Sequence, residues 1–412
     1  MVDITVGHRT RLLDVGFYAL CAAFAGVTAL TSTLMPHRAW GAIAWIGYAA
    51  AALLALTGLI RRTWLAGAVY VAVALVPLVT QAVQRAGGRT DRAQEEVLVV
   101  EQAGERLLAT GTPYLDRPSI AVLPAGEQLL GYTPYQPGMA VFGLPRAAFG
   151  SAWWTDARIW FALVTTGLIW YALSLLRPHS TVPVAQAVLA LPLCTLTLAT
   201  GGDDLPVLAL ALLAIAFAAR GRLLAAGVAA GLAGTLKLFA LPVAVVLLVL
   251  AWRTGRLPAA WRFAAGAFGL PLLALLPPLL AGFDAYVENV LRFPSGHGLV
   301  ASPAQSPLPG HFIAEALPAG RYISLGLLLL AALALGWWLL RRPPTGAGAA
   351  ALVVAVGLTC AIMLTPTTRF GYLLYPAAFL ALWGSLRARA ADPVADAEDR
   401  TGDSMTPTAP TA

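Results

Sequence analysis

The stretch GTLKLFALP, Gly234–Pro242, puts the chain's only lysine, Lys237, inside an apolar run that extends from residue 223 to 251. A lysine at the centre of a lipid-facing helix costs roughly 2.5 to 3.5 kcal/mol on insertion scales, so an ammonium at that depth belongs in a polar cavity. Snorkelling of the long side chain to the interface is the alternative. The flanking loops sharpen the reading: Arg220 and Arg222 precede the run, and Arg253, Arg256 and Arg262 follow it. Short arginine-rich loops stay on the cytoplasmic side, and one straight helix would leave these two on opposite faces. The conflict disappears if 223–251 is two short helices bent near Gly234–Pro242. Broken backbone at membrane depth needs protein or a water-filled cavity around it. Lys237 is therefore expected at the bend of a hairpin, toward the outer side, where it can meet a phosphate.

Working outward, the 412 residues are 59% hydrophobic and only 11% charged, against about 25% charged in soluble chains. Apolar runs recur at a length that crosses about 30 Å of hydrocarbon. The first, near residues 12–35, is too long for a signal-peptide core and is expected to remain. Arg9 and Arg11, Arg61 and Arg62, Arg177, Arg220 and Arg222, Arg341 and Arg342, and Arg387 mark successive cytoplasmic ends. The expectation is an all-α polytopic membrane protein with about twelve transmembrane or re-entrant helices and both termini in the cytoplasm. It forms a single transmembrane domain over 1–390, with extracytoplasmic loops at 84–157 and 283–320 and a disordered cytoplasmic tail at 391–412. The formal charge of +7 comes from helix-end arginines, a topological signal and not a nucleic-acid surface. Cys21, Cys194 and Cys360 fall in apolar runs and read as small buried hydrophobes. The five scattered histidines offer no metal spacing, and no cofactor is expected.

Acidic residues collect in the outer segments. From Glu95 to Leu108, Val97, Val100, Gly104, Leu107 and Leu108 share one helical face and Glu101 and Glu105 the other. That pattern predicts an amphipathic helix on the outer membrane surface, ended by Gly111 and Pro113. Glu96 lies at the edge of the apolar face and points toward the body, which makes it a catalytic base or a helix-dipole partner; Asp91 and Glu95 are further candidates. GGDDLP, 201–206, places Asp203 and Asp204 at the outer end of a helix, as an N-cap or as ligands to a sugar. Arg292 and Arg369 sit at outer helix ends, where a guanidinium suits phosphate and an interfacial anchor is the alternative. Tyr372 and Tyr375 read equally as an aromatic belt.

Three motifs together resemble a known family. LLATGTPY (107–114), YTPYQPGMAVFGLP (132–145) and GGDDLPVLALALLAIAFAARGR followed by AAGVAAGLAGTLKLFALP (201–242) are similar to the pattern of family 87 glycosyltransferases. These belong to the GT-C superfamily of integral membrane enzymes that use polyprenyl-phosphate sugars as donors. The resemblance implies a GT-C-like fold and transfer of mannose or a similar sugar from polyprenyl phosphate to a cell-envelope glycan or lipid, at an extracytoplasmic active site in the plasma membrane. It implies a catalytic carboxylate in the first outer loop. Counting back from Tyr114, Glu96 stands where relatives carry Asp, which leaves Glu95 and Asp91 open beside it. Lys237 matches the family's lysine and would contact donor phosphate; Tyr114, Tyr132 and Tyr135 would shape the sugar cavity. A cation would stabilise the leaving phosphate and the carboxylate would take the acceptor proton. Two rivals share the composition: a transporter or flippase of a lipid-linked sugar, and an inactive membrane homologue.

Overall fold

The computed structural model describes residues 7–176 and 181–390. The expected tail, 391–412, and the topological marker Arg177 lie outside the described residues. The chain forms helices α1 (His8–Thr31), α2 (Met35–Thr57), α3 (Arg62–Ala86), α4 (Glu95–Thr110), α5 (Ala157–Leu176), α6 (Val182–Thr200), α7 (Asp204–Ala219), α8 (Leu223–Leu236), α9 (Leu241–Tyr286), α10 (Gly320–Arg341), α11 (Ala347–Leu364) and α12 (Leu374–Ala390). Among the described residues there is no named strand, only one bridge between Gln305 and Thr368. Among the described residues eight helices are long and apolar enough to cross a membrane. The expectation of about twelve crossings adds α7, α8 and α12, and counts the two arms of α9 separately.

The protein is thus a multi-pass helical membrane protein, and its surface agrees. Leu30, Trp64, Trp170 and Leu280 lie exposed on spanning helices, as hydrocarbon solvent permits. Cys21 and Cys194 are buried as expected, but Cys360 is exposed; an apolar run also has a lipid face, which the run itself does not identify. At the centre stands α7, whose residues from Asp204 to Phe217 are all buried. A helix apolar all round has no solvated face and belongs inside.

The bend at Lys237 is present. α8 stops at Leu236, Lys237 is extended (φ −148°, ψ 149°), and a short 3-10 turn over Leu238–Ala240 leads into α9. Pro242 falls in the first turn of α9, the position where its missing N–H costs nothing. The basic connection after it is a true break, because Gly255 (φ −138°) and Arg256 (φ 53°, ψ −149°) leave helical geometry and divide α9 into two arms. The second arm returns along α8 through small residues. A Cβ at Gly231 would lie 2.1 Å from Gly266 O, and one at Gly227 would lie 2.2 Å from Phe263 O. Contacts that close between backbones are how membrane helices gain packing energy without a hydrophobic drive.

α4 forms over the expected residues, and Val97, Val100 and Gly104 are buried. One expectation fails: Glu101, assigned to the solvated face, is only 3% exposed. Arg85 donates to it at 2.7 and 2.5 Å, Arg146 approaches at 3.1 Å, and the backbone N–H of Ala157 donates at 3.2 Å. Arg85 also reaches Asp156 at 3.0 Å, and Arg158, fully buried, grips Asp156 at 2.7 and 2.8 Å. Burial would raise the Asp156 carboxyl, but Arg158 and Arg85 outweigh it and hold the group well below the ordinary carboxylate range. This buried network ties α4 to α3 and α5. A helical wheel of α4 alone cannot reveal it, because the partners come from elsewhere in the chain.

Candidate active site

The site is built around the bend. Ending α8 at Leu236 frees a carbonyl, and the backbone N–H of Gln136, in the long connection between α4 and α5, takes it at 3.0 Å. This contact docks the loop on the bend, so that the Tyr135 ring lies 5.1 Å from Lys237 Nζ. Tyr114 supports the same segment by donating from its hydroxyl to Tyr135 O at 2.8 Å. Gly202, at φ +94°, turns the chain from α6 into α7, a conformation that glycine adopts without strain. Asp203 and Asp204 follow immediately.

Both carboxylates face the bend. Lys237 Nζ lies 2.6 Å from Asp204 Oδ1 and 2.7 Å from Asp203 Oδ2. Asp203 occupies the N-cap position of α7 but makes no side-chain capping bond, so capping explains neither acid. Tyr375, expected as part of an interfacial belt, instead donates to Asp204 Oδ1 at 2.8 Å and is itself stacked on Phe239. Tyr372 lies 5.9 Å from Lys237 Nζ. All three charged groups are less than 10% exposed. Lys237 therefore neither snorkels nor faces lipid. Its ammonium carries three donors; one goes to Asp204 Oδ1, while Asp203 Oδ2 is held as an ion pair without a hydrogen-bond partner.

The second half of the neighbourhood comes from α4. Gln94 N donates to Thr200 O at 2.9 Å and Thr200 Oγ1 donates to Gln94 Oε1 at 2.9 Å, which fixes the start of α4 against the turn that carries Asp203. Glu96, two residues on, forms an ion pair with Arg369. Arg369 in turn accepts at its carbonyl from the Tyr372 N–H at 3.1 Å. One turn thus separates Arg369, the partner of Glu96, from Tyr372, whose ring lies beside Lys237. The other two loop acids are placed differently. Glu95 is exposed. Asp91 is clamped by Arg89 and Arg92 at 2.9 and 2.8 Å, and chiefly the Arg89 hydrogen bond lowers its carboxyl to about 2.

Tyr132 and Arg292 belong to a separate cluster that joins the connection between α4 and α5 to the segment after α9. Tyr132, fully buried, donates to Glu288 Oε1 at 2.9 Å, accepts from Leu299 N at 2.7 Å and stacks on Phe293 with ring centroids 4.2 Å apart. Arg117 meets the same Glu288 at 2.9 Å, and Arg292 is 3.5 Å from it and mostly exposed. The sequence reading did not single out Glu288 or Arg117. Among the described residues no group of three or more metal-type ligands assembles.

A family model described as Glycosyltransferase family 87 matches residues 132–366, more than half of the chain. That span contains Tyr132, Tyr135, Asp203, Asp204, Lys237 and Arg292. No curated protein matches the chain. Two solved structures are similar, both of ArnT from Cupriavidus metallidurans. The form bound to undecaprenyl phosphate is 18% identical with a TM-score of 0.47, covering 81% of this chain. The apo form is 17% identical with a TM-score of 0.43, also covering 81% of this chain. The present chain spans 62% and 61% of the length of those two chains.

Proposed function

The chain belongs to glycosyltransferase family 87, and from that premise we propose that it is a membrane glycosyltransferase. It moves mannose or a similar sugar from polyprenyl phosphate to a glycan or lipid acceptor of the cell envelope. The observation that carries this reading is that Glu96 pairs with Arg369 and that Tyr372, one turn beyond Arg369, lies beside Lys237. Inverting transfer from a phosphate requires a base and cations for the leaving group, and these neighbouring groups can supply them. The acceptor oxygen attacks the anomeric carbon, the bond from that carbon to the phosphate oxygen breaks, and the electron pair leaves on the phosphate. Glu96 receives the acceptor's proton.

Glu96 is the best placed of the three loop acids. Asp91 is held as a weak base by its arginines, and Glu95 is exposed. In the resting site Arg369 occupies Glu96. A donor phosphate competes for that guanidinium, since planar forks bind phosphate and carboxylate alike, and so frees the carboxylate as the leaving group is bound. Lys237 turns a donor not used by Asp204 to the same anion, with Asp203 and Asp204 fixing its position. Tyr135 and Tyr114 border the sugar. Arginine loops at the opposite end support a cytoplasmic location for that end and an extracytoplasmic active site.

The test uses membranes containing the full chain, labelled polyprenyl-phosphate mannose and an envelope acceptor fraction. Glu96→Gln should lower glycoside formation by about 100-fold or more, the size of a general-base contribution. Asp91→Asn and Glu95→Gln should stay near the parent. Parental activity in Glu96→Gln refutes the assignment of the base. Movement of lipid-linked sugar across proteoliposomes without glycoside formation refutes the enzyme reading.

A further inference from the structure

At the end of the bundle remote from Lys237, two long stretches of the chain carry arginine without acid. The sequence has no Asp or Glu from Leu205 to Phe283, nor from Ala316 to Ala391. Arg222, Arg253, Arg256, Arg262, Arg341 and Arg342 all fall within those stretches. Among the described residues none of these six has a carboxylate partner, and Arg253 instead donates to Pro343 O at 3.0 Å. α8 runs 14 residues from Arg222 to the bend, about 21 Å at helical rise, so this end is a full helix length from the site above.

Here the break in α9 opens a crevice of about 720 Å³ against the end of α10. Arg253 and Arg256 stand at it with Trp252 and Trp261, and Leu248, Val249 and Leu340 line its apolar part. Trp252 and Trp261 are 53% and 66% exposed, the habit of rings that sit at the headgroup level. Arg256 is the one non-glycine residue with positive φ among the described residues. Its φ of 53° and ψ of −149° lie in a region that side chains rarely enter, and such conformations persist where the surrounding structure imposes them, often at binding sites. A crevice with a cationic rim and an apolar floor, opening between membrane helices, has the chemistry of a lipid site.

We propose that this crevice is a binding site for an anionic glycerophospholipid, whose phosphate is held by Arg253 and Arg256 and whose acyl chain lies along Leu248 and Leu340. The charge decides the class, because two guanidiniums with no acid in their segments leave a zwitterionic headgroup with a repelled ammonium. The site is independent of sugar transfer and does not use Glu96 or Lys237.

Native mass spectrometry on the detergent-solubilised full chain tests it, with phosphatidylglycerol and phosphatidylcholine of identical acyl chains as probes. The parent should retain phosphatidylglycerol at least fivefold over phosphatidylcholine. Arg253→Gln with Arg256→Gly should bring the ratio close to one. Glycine fits the backbone at 256, so this variant should keep the parent's melting midpoint, and Arg256→Gly alone supplies a second folded probe with a reduced ratio. Equal retention of the two lipids by the parent overturns the proposal, as does an unchanged ratio in the double variant. Displacement of phosphatidylglycerol by equimolar polyprenyl phosphate would also overturn it, assigning the crevice to the donor lipid.

Discussion

Replacing Lys237 by methionine removes one ammonium from between two carboxylates while keeping an unbranched side chain of similar length. With contacts of 2.6 and 2.7 Å and an effective dielectric of about 20, each attraction is worth roughly 6 kcal/mol. Desolvation of the three ions offsets much of this sum, at several kcal/mol per ion. What the variant keeps is worse than neutral: Asp203 and Asp204, only 3% and 5% exposed, repel each other with no countercharge. Removing one partner of a buried pair costs about 3 to 5 kcal/mol, and Lys237→Met should fall at the upper end because two charges are orphaned. The assay is the midpoint of thermal unfolding in detergent, followed by fluorescence. The decisive arm adds Asp203→Asn and Asp204→Asn to Lys237→Met, which should restore more than half of the lost stability. Residues in direct contact are coupled, whereas independent ones add. Strict additivity across this cycle would refute the reasoning, and so would a parental midpoint for Lys237→Met.

Three further outcomes are expected. Tyr375→Phe removes the 2.8 Å hydrogen bond to Asp204 Oδ1; loss of a bond to a charged acceptor should cost about 1.5 to 3 kcal/mol, read in the same unfolding assay. Asp156→Asn leaves the fully buried Arg158 without its carboxylate, so stability should fall by about 3 to 5 kcal/mol, with reduced yield of folded protein in membranes. Gly143→Ala places a methyl 2.1 Å from Val100 O, an overpacking worth at least about 1 to 3 kcal/mol. Because that contact clamps α4 to the loop, limited proteolysis should cut within 84–157 faster than in the parent.

Some of these features could be read from the sequence and others could not, for a physical reason. The low charge and the length of the apolar runs decided that this is a multi-pass helical membrane protein, since hydrocarbon leaves a chain few other ways to satisfy its backbone. The conflict between two arginine loops, together with Pro242, located the bend at Lys237; both are local signals. The edge position of Glu96 on its helix could likewise be counted from the sequence. Which charges meet was decided only by the tertiary structure. Lys237 finds Asp203 and Asp204 more than thirty residues away, and Glu96 finds Arg369 at the far end of the chain. Glu101, solvated by its periodicity, is buried because Arg85, Arg146 and the start of α5 converge on it. Tyr375 changed from a belt residue to a ligand of Asp204 for the same reason. Periodicity reports which face of one helix is apolar, whereas an ion pair is a property of two elements and of the space between them.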